Sequence, residues 1–197
     1  MPAKTSCAVG FRIKSGWATT VLLAGPAKTP RVVDRRVTLL ADPDDPEARQ
    51  PFHAGLDTHE SRAAQAVQRL VKAVERFTHR SIAKLIAEYR AGGYRVRGAG
   101  IVVGSLVDPT SIANDHIRAH AEEGRLFRVV VEHAVRACRL PVRVTVEGEL
   151  YVTASRMLRN PVGWLRNRVA VLGERVDGPW RAEEKTAALA AWMALTP

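Results

Sequence analysis

The segment CAVGFRIKSGWATTVLL, residues 7–23, decides the fold class. It contains two apolar runs, 7–13 and 17–23, and the Lys14-Ser15-Gly16 between them has the length and glycine content of a hairpin turn. A third run at 31–40 is rich in β-branched residues and partly alternates, as strands do. The chain is therefore predicted to begin with three antiparallel strands.

A long helix follows these strands. Apolar residues recur at helical spacing from about residue 63 to Gly92-Gly93, which ends the pattern. Thr58 is a candidate N-cap for this helix, and Ser61 is a second one. The acid- and proline-rich segment from Asp42 to about Asp57 lies between the third strand and the helix, and its composition predicts an exposed loop.

Strands and helices then alternate to the end of the chain. A short, glycine-flanked apolar run at 98–105 is typical of a buried central strand, and a fifth strand is predicted at 142–147. Helices are predicted at 114–138, about 149–160, 161–172 and 181–195.

Size and composition indicate one globular domain over residues 1–197, with a helical C-terminal part from about 149. Hydrophobic residues make up 46% of the 197, an ordinary share for a globular protein. No run of about 18 apolar residues is present, and the N-terminus lacks the apolar stretch of a signal peptide, so we expect a cytoplasmic protein without a membrane span. Cys7 and Cys138 form neither a metal knuckle nor a disulfide framework, and buried free thiols are expected.

The formal net charge of +10 is the strongest global indication of function. Such a charge attracts polyanions, of which nucleic acid is the commonest. The basic residues are scattered rather than clustered with aromatic residues, so an arginine-rich surface without a ligand is the alternative.

The order β-β-β-α-β-α-β-α resembles the ribonuclease H-like superfamily, and within it the Holliday-junction resolvases. Two local features support the resemblance: glycines at Gly10 and Gly16 of the opening hairpin, and the acid-then-alanine segment 183–191 of the last helix. The resemblance predicts an α/β fold with a five-stranded mixed sheet and helices on both faces. Actin-like and sugar-kinase ATPases begin with a similar hairpin, but they normally need two such domains.

The resemblance implies two-metal phosphodiester hydrolysis, with Mg²⁺ or Mn²⁺ held by carboxylates. The acid of the first strand would fall near Gly10 or Arg12, and the acid of the last helix matches Glu183 or Glu184. Asp108 follows the fourth strand three residues later than expected. Arg12 and its neighbour Lys14 would repel a divalent ion and attract a phosphate, so the carried-over site is predicted to be degenerate.

A second set of chemical groups opens the helix after the central strand. His116, His120 and Glu123 are spaced i, i+4 and i+7 and share one helix face. Two histidines four residues apart can bind one metal, with a carboxylate as third ligand. The same face continues as the apolar core stripe, so a packed, hydrogen-bonded His120 is the alternative.

Three functional hypotheses remain open. The first is a nucleic-acid-binding or phosphate-binding protein with a degenerate metal site. The second is an active nuclease with a rearranged site, and the third is an assembly subunit that dimerises through the alanine-rich segment 187–194 and the helices around Trp164. The candidate catalytic residues are His116, His120, Glu123, Glu147 and Glu184. The candidate metal ligands are Asp108, His120 and Glu184, and the candidate nucleic-acid contacts are Arg12, Lys14, Arg118, Trp164 and Arg166, with Trp164 placed to stack on a base.

Overall fold

A computed structural model describes residues 5–56, 60–174 and 176–196. The predicted helix cap at Thr58 lies outside these residues. In the described part of the chain, no helix is both long enough and apolar enough to span a membrane.

A five-stranded mixed sheet forms the centre of the molecule, with strand order β3-β2-β1-β4-β5. The first three strands are antiparallel, whereas β4 pairs parallel to β1 and β5 pairs parallel to β4. The predicted three-stranded start and the two later strands are confirmed. Their bounds are β1 Thr5–Lys14, β2 Trp17–Ala24, β3 Arg31–Leu39, β4 Tyr94–Val103 and β5 Val142–Val146.

The six α-helices of the described residues agree with the prediction except in one place. The segment from Asp42 to Asp57 is not a continuous loop, because it contains a 3-10 helix at Pro46–Arg49 and a short α-helix. Proline is tolerated in the first turn of a helix, which is where Pro46 and Pro51 lie. The helices are α1 Pro51–Leu56, α2 Glu60–Ala91, α3 Asp115–Ala137, α4 Leu150–Leu158, α5 Val162–Leu172 and α6 Ala182–Leu195.

Each face of the sheet is covered by its own layer of helices. Phe11 and Ile101 belong to the core that α1, α2 and α3 complete, together with Phe127 of α3. Val21 and Val102 belong to the core on the other face, which α4, α5 and α6 complete. Because strand residues alternate between faces, Gly10, Arg12 and Lys14 of β1 lie on the α6 side.

Helix α6 packs unusually close to the sheet. Gly10 and Gly100 are register partners on β1 and β4, and the α6 backbone at Ala187 and Ala190 lies directly over them. The alanines at 187–191 are therefore buried inside one chain. These alanines pack against the sheet and are therefore unavailable for the predicted dimer contact, whereas Trp164 on α5 is 40% exposed and a dimer through that surface stays a prediction.

The two cysteines differ in burial. Cys7 is fully buried in β1, and burial raises the pKa of its thiol to about 11. Cys138 follows α3 and is only half-buried, so the expectation of a buried free thiol is confirmed for Cys7 alone.

Candidate functional site

A cleft lies at the carboxyl ends of β1 and β4, where ligands commonly bind in α/β sheets. Its volume is about 530 Å³, and its wall is formed by the β1–β2 turn, the segment after β4 and one face of α3. Arg12, Lys14, Arg125 and Arg128 contribute positive charge to the lining, and Asp108 contributes negative charge. We call this space the strand-end cleft.

Arg12 occupies the place in β1 where the resemblance expects a metal-binding acid. Its guanidinium group donates to Glu147, with Nη2–Oε2 at 2.6 Å and Nε–Oε1 at 3.3 Å. Nη1 donates to the carbonyl oxygen of Ile13 at 2.8 Å. Arg12 is 6% exposed and lines the cleft, and Glu147 directly follows β5, so this fork-shaped ion pair links β1 to the end of β5 across β4.

The acids of α6 are also paired with cations. Glu183 forms an ion pair with Lys14 at 3.1 Å and accepts a hydrogen bond from the Thr19 hydroxyl. Glu184 accepts from Arg35 of β3 at 3.0 Å and from the backbone N–H of Arg181 at 2.9 Å, which completes a capping box. Burial raises the pKa of Glu184, but the lowering caused by these hydrogen bonds outweighs it. The pKa of Glu184 therefore lies below its ordinary value of 4.5.

Because the pKa of Glu184 is lowered in the folded protein, its contribution to the free energy of unfolding depends on pH. A carboxyl whose folded-state pKa is depressed stabilises the fold above its unfolded pKa and loses that contribution as pH falls through the folded value. We therefore expect Glu184→Gln to lower the free energy of unfolding at pH 7. The difference from wild type is expected to shrink as pH falls below 4.5 and to vanish once pH is below the lowered pKa of Glu184. Urea denaturation between pH 7 and pH 3 measures it. Glu149→Gln, at an exposed acid, is the control, and an equal loss in both variants at pH 7 would contradict the argument.

Three histidines meet where α1 lies against α3. The ring centroids of His53, His116 and His120 are separated by 4.2 to 4.8 Å. Below them Glu123 is fully buried, with Oε1 at 2.8 Å from His53 Nδ1 and Oε2 at 3.8 Å from His120 Nδ1. The structure thus brings together three predicted residues, His116, His120 and Glu123. It adds His53, which was missed because its segment was predicted to be a loop.

The remaining predicted acids lie elsewhere. Asp108 caps the 3-10 helix Pro109–Ser111, and hydrogen bonds from the backbone and side chain of Thr110 lower the pKa of Asp108. Glu147 and Glu184 are held by arginines on the α6 side of the sheet, whereas α3 covers the opposite face. Asp108 and His120 both line the strand-end cleft, but among the described residues the ligand atoms that lie within 4.8 Å of one another are those of His53, His116 and His120, without Asp108 or Glu184.

The predicted nucleic-acid contacts divide into two groups. Arg12 and Lys14 line the strand-end cleft, while Arg118 pairs with Asp115 within α3. Trp164 is 40% exposed on α5, and its ring lies 6.0 Å from that of Trp192. Arg166 lies 4.3 Å from the centre of the Tyr151 ring, an intramolecular cation–π contact. Trp164 and Arg166 are not among the residues that line the cleft.

No protein-family model and no curated protein sequence matches the chain. Two solved structures of RuvC do match it at low sequence identity. The structure of Thermus thermophilus RuvC aligns with a TM-score of 0.54 and 10% identity, covering 95% of this chain and 92% of RuvC. RuvC from the same organism in complex with a Holliday junction substrate aligns with a TM-score of 0.56 and 10% identity, covering 95% and 91%. The strand order and these full-length alignments show that the chain has the ribonuclease H-like fold.

Proposed function

We propose that the chain binds nucleic acid through phosphate contacts in the strand-end cleft, and that its inherited two-metal centre is replaced by ion pairs. The observation that carries the proposal is the contact between Arg12 and Glu147, at the position where the resemblance expects a metal ligand. A buried guanidinium group at this point opposes a divalent cation, because two like charges a few ångströms apart repel strongly in a protein.

The other acids near this edge support the same interpretation. Glu147, Glu183 and Glu184 each form an ion pair with an arginine or a lysine. A pair of Mg²⁺ or Mn²⁺ ions would have to displace these cations and leave the buried Arg12 without a partner. Such displacement is costly, since an uncompensated buried charge is strongly destabilising.

The same charges suit a phosphate backbone. Lys14 is 40% exposed in its side chain, and Arg125 is exposed and has no ion pair within 4 Å among the residues described. Both line the cleft. The guanidinium group of Arg125 is available to phosphate oxygens, and the ammonium group of Lys14 carries three N–H donors, so it can contact a phosphate while it keeps its ion pair with Glu183. RuvC bound to a Holliday junction substrate has the same fold, which makes branched DNA the first ligand to test.

Fluorescence anisotropy with a four-way junction, a duplex and a single strand tests binding at several salt concentrations. We expect affinity to fall steeply with salt, because phosphate contacts release counterions. The variant Lys14→Gln/Arg125→Gln is expected to weaken binding and to reduce the salt slope by about 2. Arg95→Gln/Arg97→Gln removes the same charge at exposed positions of β4 and is the matched control. Equal losses in both variants would place binding outside the cleft.

Incubation of the junction with Mg²⁺ or Mn²⁺ tests the second half of the proposal. We expect no cleavage that depends on Glu147 and Glu183. Cleavage that is lost in Glu147→Gln/Glu183→Gln would overturn the proposal and favour the alternative, a metal-dependent nuclease.

A further inference from the structure

The histidine cluster described above lies apart from the ion-paired acids of α6 and has a different chemistry. One ring nitrogen from each of His53, His116 and His120 lies within 4.8 Å of the other two. Ligands of a tetrahedral zinc ion bind at about 2.1 Å and are therefore roughly 3.4 Å apart. The histidines of α3 are exposed, so small side-chain rotations are sufficient to close this gap.

The partners of His53 are those of a metal ligand. Its Nδ1 lies 2.8 Å from Glu123 Oε1, which also accepts from the His53 backbone N–H at 3.3 Å. Its Nε2 is buried and has no hydrogen-bond partner among the described residues. Metal-binding histidines usually donate one ring N–H to a carboxylate and bind the metal with the other nitrogen.

Glu123 supplies a second, independent indication. It is fully buried, and its Oε2 atom has no hydrogen-bond partner in the described part of the chain. A buried carboxylate with unused acceptors is costly unless positive charge lies nearby. A divalent ion on the three histidines would provide that charge, and a rotation of His120 would let its Nδ1–H, now 3.8 Å away, donate to Oε2.

We propose that His53, His116 and His120 bind one Zn²⁺ ion per chain, and that Glu123 is a positioning residue that orients His53. Three imidazole nitrogens suit a first-row transition metal, whereas Mg²⁺ and Ca²⁺ prefer oxygen ligands. The exposure of His116 and His120 leaves a fourth position open to solvent, as in zinc sites that bind water or a substrate. His120 also lines the strand-end cleft, so the ion lies beside the proposed phosphate-binding residues.

Zinc would also connect two parts of the chain. Helix α1 has six residues, too few for a stable isolated helix, and His53 lies in it. The ion joins α1 to the first two turns of α3. Binding to the folded state alone stabilises it, so a hundredfold excess of Zn²⁺ over its Kd is expected to raise the unfolding midpoint by about 5–10 °C.

Isothermal titration calorimetry of the untagged, metal-free chain with ZnCl₂ tests the site. We expect one equivalent to bind, and His116→Ala/His120→Ala to lose at least 100-fold in affinity. Both side chains are exposed, so this variant is expected to fold. The matched control is His79→Ala/His133→Ala, which removes two exposed histidines of α2 and α3 outside the cluster. Zinc affinity that is equal in the two double variants, or no saturable binding by wild type, would overturn the proposal.

Glu123→Gln tests the positioning role. It keeps the size of the side chain and is expected to weaken Zn²⁺ binding 10- to 100-fold. The visible absorption of bound Co²⁺ reports the ligand geometry, which is expected to change in this variant while the unfolding midpoint of the metal-free protein stays near that of wild type. Unchanged affinity and an unchanged Co²⁺ spectrum would overturn the positioning role, because His53 would then bind the ion equally well without the Glu123 carboxylate. None of these measurements uses nucleic acid, so their outcome is separate from that of the proposed function.

Discussion

Gly10→Ala is expected to lower the free energy of unfolding by about 3 kcal/mol or more. A methyl group at this position would overlap the carbonyl oxygen of Ala187 and lie 2.7 Å from the backbone nitrogen of Ala191. Both atoms belong to the backbone of α6, so no side-chain rotation relieves the clash. The helix must move away from the sheet, and the buried contacts of Ala187 and Ala191 are then lost. Urea denaturation followed by circular dichroism measures the loss.

The control for Gly10→Ala is another glycine-to-alanine change in the same chain. Gly124 lies within α3, and a methyl group there would meet no atom within 4 Å. Alanine is favoured over glycine inside a helix by roughly 0.5–1 kcal/mol, so Gly124→Ala is expected to stabilise the protein. Opposite signs at the two positions would support the close packing of α6, whereas a stable Gly10→Ala protein would contradict it.

The sheet was predictable from sequence because its signals are local. The apolar runs of the hairpin, the glycine turn at Gly16 and the buried run before Gly104 each define a strand without knowledge of the rest of the chain. The close approach of α6 was not predictable in the same way. The sequence contains Gly10 and an alanine-rich helix, but only the folded chain shows that this helix packs directly over Gly10.

The candidate site was predictable in part for the same reason. Helical spacing alone predicts that His116, His120 and Glu123 lie on one face of α3. His53, by contrast, is 70 residues away from its partner Glu123 in the sequence. The acids and prolines before His53 favoured a loop, and tertiary contacts with α2 and α3 instead hold a short helix there. The pair Arg12 and Glu147 is separated by 135 residues and carries no local signal.

Glu147→Gln is expected to lower the stability of the protein and to raise its affinity for phosphate groups. It removes the charged partner of Arg12, which is 6% exposed. Breaking a fully buried pair costs about 3–5 kcal/mol, but the side chain of Glu147 is 45% exposed, so we expect a loss nearer 2 kcal/mol. The released guanidinium group is then free to bind an anion in the strand-end cleft. Affinity for the four-way junction, and for inorganic phosphate, is expected to rise.

Both effects are needed to support the proposed replacement of a metal centre by an ion pair. Chemical denaturation measures the first and fluorescence anisotropy the second, with Glu149→Gln as a control that removes an exposed acid two residues away. Phosphate in the buffer is expected to restore part of the lost stability in Glu147→Gln and not in the control, because an anion that binds only the folded state stabilises it. Stability and affinity that match those of Glu149→Gln would show that Arg12 does not depend on Glu147. The cation at position 12 would then need an explanation that does not involve Glu147.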